Sequence, residues 1–283
     1  MRVVLATVAA LVAFATNSLL CRAALGGGQA DAASFTALRL ASGALMLLAV
    51  SRSRGRGGSW TSSAALFAYA AAFSFAYFSL PAGIGALLLF GAVQITMIAS
   101  GIAAGERPPL PVWAGLVLAL SGLTHLSLRG ARAFSAGGAL LMLAAGAAWG
   151  VYSLRGRRAR GPPILATADN FLRTLPFALV LWSIAAIVRP PHLGARGAAL
   201  AIASGAISSG LGYVAWYSAL PHLTAARAAV LQLCVPALAA LGGVVLLGEI
   251  LTLRLAIAGA AILGGVALAT RPSRPAAVRS STA

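Results

Sequence analysis

Lysine is missing from this chain of 283 residues and acid is nearly so: four Asp and Glu stand against 21 basic residues, every one an arginine. Only 9% of the residues are charged while 60% are apolar, against about 25% charged in an ordinary soluble domain. That leaves too little polar surface to cover a globule in water. Two cysteines, Cys21 and Cys234, lack metal-ligand spacing and offer no disulfide framework. The histidines His125, His192 and His222 are dispersed, and no HExxH, GxSxG or GxxxxGK[ST] string occurs. Zinc hydrolases, serine hydrolases of that elbow type and ATP-driven pumps are therefore unsupported, and no cofactor or metal is expected. A membrane enzyme would have to rest on Ser209 paired with His222. The formal charge of +17 suggests a nucleic-acid partner, but no contiguous basic face with interleaved aromatics is present. Most arginines lie in short runs between apolar segments, where anionic headgroups and orientation during insertion account for them.

What is present is a series of apolar stretches. A helix needs about 20 mostly apolar residues to span a bilayer, and ten stretches qualify: Val3 to Leu20, Ala32 to Val50, Ser62 to Leu80, Ala82 to Ala104, Pro111 to Ser127, Gly137 to Leu154, Ile164 to Val188, Ala198 to Leu220, Thr224 to Leu247 and Leu253 to Thr270. This predicts an all-α membrane protein of about ten transmembrane helices. The first stretch reads as a retained helix rather than a cleaved signal, because no A-x-A site opens onto a soluble domain. With the N-terminus inside, Arg2, Arg52, Arg54, Arg56, Arg107, Arg155, Arg157, Arg158, Arg160, Arg271, Arg274 and Arg279 fall on the inner side. Only Arg22, Arg129, Arg132, Arg189, Arg196 and Arg254 fall outside. The positive-inside rule then places both termini in the cytoplasm.

Short strings recur in order. Ser18-Leu19 returns as Ser153-Leu154, Leu38-Arg39 as Leu172-Arg173, Leu80-Pro81 as Leu220-Pro221 and Gly105-Glu106 as Gly248-Glu249, at offsets of 135, 134, 140 and 143. Two repeats result, 1–130 and 131–271, followed by a disordered cytoplasmic tail at 272–283. Five helices per repeat is an odd number, so the second copy enters the membrane from the opposite side. Inverted-topology repeats of this kind place a substrate site near the midplane in secondary transporters.

The strings Phe35-Thr36-Ala37-Leu38-Arg39, Ala148-Trp149-Gly150-Val151-Tyr152, Gly212-Tyr213-Val214-Ala215-Trp216-Tyr217-Ser218-Ala219-Leu220, Leu231-Gln232-Leu233-Cys234-Val235-Pro236 and the paired Gly105-Glu106 and Leu247-Gly248-Glu249 resemble the ten-helix EamA branch of the drug/metabolite transporter superfamily. The likeness runs to about Arg271. It departs at Phe14-Ala15, where that family usually has Trp-Gly, and at Phe90-Gly91-Ala92-Val93-Gln94, which lacks the usual proline. The resemblance implies a central cavity lined by the first, third, fourth, sixth, eighth and ninth helices, with the second, fifth, seventh and tenth further out. It also implies transport of small organic metabolites, amino-acid export among them.

The polar and aromatic residues on those six helices are the cavity candidates: Asn17, Tyr77, Gln94, Trp149, Tyr152, Tyr213, Trp216, Tyr217 and Gln232. Buried amides must bridge helices or face a wet cavity. Trp149 and Tyr152 lie deep in their helix and suit a cavity, whereas Trp216 and Tyr217, near a helix end, suit a membrane interface. Asp169 and Arg173, four residues apart, can pair locally, as a structural ion pair or a gate. Arg39 is expected to snorkel or to bond helix ends across the bundle. Arg227 is either a surface arginine or a contact to a substrate carboxylate. Glu106 and Glu249 are expected to cap the next helix. Asp169 is the one acid well inside a span, which points to a facilitator or to coupling without a buried acid pair. Gly101 with Gly105, and Gly146 with Gly150, have the spacing of close helix contacts. The expected partners are a small zwitterionic or amphipathic substrate, membrane lipid and, as an option, a second copy of the chain in a homodimer. A non-transporting receptor or assembly factor is the other reading.

Overall fold

The computed structural model describes residues 1–51, 57–80, 82–127, 135–159, 161–247 and 253–270. Glu249, Pro81, several loop arginines and the tail 272–283 lie outside the described residues. Among the described residues, ten helical columns follow one another: α1 Arg2–Leu25, α2 Ala32–Ser51, α3 Trp60–Tyr77, α4 Ala82–Ala103, α5 Leu110–Ser127, α6 Ala136–Arg158, α7 Pro163–Val188, then α8, α9 and α10. Column α8 runs as α-helix over Ala195–Ala203, widens to a π-helix over Ser204–Leu211 and resumes over Gly212–Ala219, while α9 is Ala225–Gln232 continued by Cys234–Leu247 and α10 is Leu253–Thr270. Five of these, α1, α2, α6, α7 and α8, are long and apolar enough to cross a membrane, and the described parts of α4, α5, α9 and α10 contain shorter apolar helices. No strand occurs among the described residues beyond a single bridge between Ala30 and Leu193. The protein is an all-α membrane protein.

Local chemistry starts several of the helices. Asp31 accepts the Ser34 N–H at 2.8 Å, Ser59 the Ser62 N–H at 3.1 Å, Ser135 the Gly138 N–H at 3.3 Å and Thr224 the Arg227 N–H at 3.2 Å. These N-caps satisfy donors that a first turn leaves open. Helix α7 begins with Pro163, whose missing N–H costs nothing there.

Helix faces turned outward are apolar: Ile187, Leu110 and Val245 are each more than three-quarters exposed. In water such surface would be a liability. Against hydrocarbon it is required. Inside, α2 packs on α7, α5 on α10 and α4 on α9, while α3 lies on α6 as α1 lies on α8. This is the pairing that exchanging the first five helices with the last five would leave unchanged. Small residues permit the closest approaches. A Cβ on Gly205 would run into the Arg39 carbonyl of α2, so α2 and the π segment touch backbone to backbone. Gly146 brings α6 against the Leu89 carbonyl of α4 in the same way, and Gly150 makes room for the Thr96 side chain. Gly105 serves a turn instead, because its φ of +87° places it in the left-handed region directly after α4, a geometry natural to glycine. It is not one of a pair of helix-packing positions with Gly101.

Candidate functional site

Half-way along the bundle, Trp149 of α6 is ringed by aromatics from three other helices. Its ring centroid lies 5.2 Å from Phe14 of α1, 5.0 Å from Tyr69 of α3 and 4.7 Å from Tyr213 of α8. Tyr152 follows one turn on, at 5.9 Å. The indole N–H donates to Gln232 Oε1 at 2.5 Å, and the Gln232 amide donates on to Met97 Sδ and to the Ala228 carbonyl. Gln94 donates to the Ala229 carbonyl at 2.7 Å, leaving its own Oε1 without a partner. Asn17 accepts from Ser204 at 2.5 Å, which ties α1 to the first residue of the π segment. The core is thus held by a few hydrogen bonds from polar atoms that are costly to leave dry.

Against this core lies a buried cation with no counter-charge among the described residues. Arg39 of α2 is 1% exposed. Its Nε donates to Ser209 Oγ at 3.0 Å, and its Nη2 to the Tyr213 hydroxyl at 2.9 Å and, at 3.5 Å, to that of Tyr69. The guanidinium also stands over the Tyr69 and Phe73 rings, at 5.4 and 5.7 Å. Nη1 has no hydrogen-bond partner. A charge of this kind within a span costs about 3 kcal/mol on insertion scales, and the described carboxylates are engaged elsewhere. Asp31 caps α2 and accepts the His192 N–H at 2.8 Å. Asp169 pairs with Arg173 at 3.0 Å, and Glu106 pairs with Arg157 at 2.6 Å.

One end of the bundle opens into a cavity of about 480 Å³, bordered by the loop before α3, Ser100 of α4, the last turns of α6, the first turns of α7, and Tyr217 with Pro221. Its polar wall includes Ser59, Ser62, Asn170, Arg155 and Arg158. Arg155 donates to Ser62 and Ser59 at 2.9 and 3.1 Å, and Asn170 accepts the Ser59 N–H at 2.9 Å. Tyr217 forms the inner wall, donating to the Tyr152 carbonyl at 3.0 Å with ring centroids 5.2 Å apart. Behind Tyr152 lies Tyr213, 6.2 Å away, and behind Tyr213 the guanidinium. The cavity is a vestibule that ends at Tyr217, with Tyr152 packed behind it. At the opposite end of α3 and α6 there is close packing instead: a Cβ on Gly85 would meet Tyr77 at 2.9 Å and Met142 at 3.0 Å.

Glu106 holds the vestibule end together. Both its oxygens accept the Ala225 N–H, at 3.1 and 3.0 Å. Burial works to raise its pKa, but the Ala225 N–H and the Arg157 guanidinium prevail and hold the carboxyl below its ordinary value. At the far end Asp31 behaves alike: burial opposes ionisation, yet N–H groups of Ser34 and His192 keep the carboxyl low.

Of the residues singled out in the sequence, Asn17, Tyr77, Gln94, Trp149, Tyr152, Tyr213, Trp216, Tyr217 and Gln232 are all buried between helices, and Tyr217 also borders the vestibule. Trp216 and Tyr217 are not interface anchors: they are 0% and 3% exposed and face Ser153 and Tyr152. Arg39 does not snorkel, because Ser209 and Tyr213 hold it inside. The second and seventh helices are less peripheral than the resemblance implies, since α2 brings Arg39 and α7 brings Asn170. Asp169 and Arg173 form the expected i, i+4 pair, and Asp169 also accepts the Gly58 N–H at 3.0 Å. Glu106 caps α9, not α5, the next helix. Arg227 borders a small cavity of about 260 Å³ with Glu106 and Thr224. Ser209 is bound to Arg39, and at about 1.5 Å per residue it is far from His222. No metal-binding group of His, Cys, Asp or Glu occurs among the described residues. Sequence reasoning did not count Phe14, Tyr69 or Phe73 among the cavity candidates, and it weighed Ser209 only as a partner for His222. The repeat offset holds the signal: Phe14 stands 135 before Trp149, and Phe73 and Tyr77 stand 140 before Tyr213 and Tyr217.

Comparison with known proteins agrees with this architecture. Residues 136–271 match the EamA-like transporter family. The uncharacterized protein PA1977 of Pseudomonas aeruginosa is 54% identical over 283 residues, covering 98% of each chain. A crystal structure, described only as that of a protein, is 26% identical with a TM-score of 0.77, over 94% of this chain and 98% of that one. With these matches, and with the apolar ten-column bundle that carries them, the chain belongs to the EamA-like transporter family of the drug/metabolite transporter superfamily.

Proposed function

We propose that this protein is a secondary transporter or facilitator that moves small organic metabolites, an amino acid or a related compound, out across the bacterial plasma membrane. The carrying observation is a vestibule of about 480 Å³, open at one end and stopped by Tyr217, with Tyr152 behind it, in front of an aromatic core with unsatisfied polar atoms. The volume suits a small organic molecule, since ligand pockets run from about 300 to 1,000 Å³. The close packing of Tyr77, Gly85 and Met142 at the other end supports alternating access, in which one seal opens as the other closes. The helix pairing supports two five-helix repeats of opposite topology, 1–130 and 131–271. The arginine excess at the vestibule end supports a cytoplasmic vestibule and cytoplasmic termini.

Counterflow in proteoliposomes, with an amino-acid panel, tests this reading. Labelled solute is expected to accumulate transiently against an unlabelled internal pool. Trp149→Phe, which keeps a ring but loses the hydrogen bond to Gln232, is expected to slow exchange about tenfold, as befits one buried hydrogen bond. Absence of counterflow across the panel, with ligand-induced stabilisation retained, would favour a receptor.

A further inference from the structure

We infer that Arg39 anchors the anionic group of the transported molecule, so that the core behind Tyr152 and Tyr217 recognises a carboxylate. The inference rests on the transport reading for its physiological meaning, but the binding site stands on its own observations. The guanidinium is 1% exposed, its Nη1 has no partner, and its bond from Nη2 to Tyr69 is long at 3.5 Å and easily exchanged. It has no described carboxylate to neutralise it, because Asp31, Glu106 and Asp169 are engaged with His192, Arg157 and Arg173. An arginine always carries its charge and presents a planar fork that suits a carboxylate. A substrate carboxylate arriving there would supply both the missing counter-charge and an acceptor for Nη1.

The surroundings argue against the opposite charge. The faces of Tyr69 and Phe73 that could cradle an ammonium already hold the guanidinium, at 5.4 and 5.7 Å. The route in has the same bias, since among the described residues Arg155 and Arg158 border the vestibule and no acid does. The backbone beside the anchor is irregular as well: Ser209 lies in the π segment Ser204–Leu211, and such segments are frequent at functional sites. Ser208, its neighbour, has a buried hydroxyl without a partner.

The test uses three probes of similar size and shape: leucine, 4-methylpentanoate, which lacks the ammonium, and isoamylamine, which lacks the carboxylate. Thermal stabilisation of the purified full-length protein reports binding, and proteoliposome counterflow reports flux. Both carboxylates are expected to stabilise the wild type, and isoamylamine is not. Arg39→Lys, which keeps the charge but loses the fork, is expected to weaken 4-methylpentanoate binding about tenfold, and Arg39→Gln to abolish it. Should Arg39→Gln not fold, Arg39→Lys carries the test. Stabilisation by isoamylamine but by neither carboxylate, or unchanged carboxylate affinity in Arg39→Lys, overturns the site. So does a wild type that neither carboxylate stabilises. Arg39-dependent carboxylate binding without flux would leave the site standing and remove the transport reading. Flux of isoamylamine alone would do the reverse.

Discussion

At the scale of single residues, acid is scarce enough that each described carboxylate can be followed to its partner. Glu106 caps α9 and pairs with Arg157, and its pKa lies below the ordinary 4.5. A carboxyl held low in the fold stabilises it above that ordinary value, and the contribution is lost as pH falls through the folded pKa. Glu106→Gln is therefore expected to cost about 1 kcal/mol at pH 7, the usual worth of a cap. The deficit should shrink in thermal melts as pH drops below about 4.5. A deficit independent of pH would mean that shape, not charge, matters there. Asp169 gives the contrasting case. It is paired with Arg173 and accepts the Gly58 N–H, so Asp169→Asn is expected to lower the melting temperature while leaving the pH dependence of flux unchanged. Loss of a pH-gradient response in that variant would make Asp169 the proton carrier. The Asp169–Arg173 pair was legible in the sequence because i, i+4 spacing is local. The partners of Glu106 and Arg39 were not, because they lie 119 and 170 residues away.

Between elements, close helix contact replaces the hydrophobic drive that lipid removes. The tightest described example joins α2 to the π segment of α8, where a Cβ on Gly205 would collide with the Arg39 carbonyl. Gly205→Ala is expected to cost about 2 kcal/mol, typical of overpacking, and to disturb substrate binding along with stability because Arg39 moves with its backbone. Unaltered melting and affinity would show that α2 and α8 separate freely. Hydropathy located the helical columns because apolar length is what a bilayer demands. It could not reveal that α8 widens over Ser204–Leu211, since the backbone change leaves composition untouched. The aromatic core was half legible: Trp149 stood out as a rare residue, and the repeat offset pairs Phe14 with it, but the edge-on contact between the two at 5.2 Å belongs to the fold.

For the whole molecule, alternating access requires that one vestibule be open while the opposite seal is shut, and that the two exchange. Ser100 borders the vestibule and Met142 is fully buried in the far seal. In a background with Cys21 and Cys234 replaced by alanine, single cysteines at these two positions can be labelled with an impermeant maleimide from either side of a proteoliposome. Without substrate, Ser100→Cys is expected to react from the vestibule side and Met142→Cys from neither. During substrate exchange, Met142→Cys should become reactive from the opposite side while labelling of Ser100→Cys slows. If Met142→Cys stays unreactive throughout exchange, or if both positions react from one side together, alternating access in this protein is contradicted.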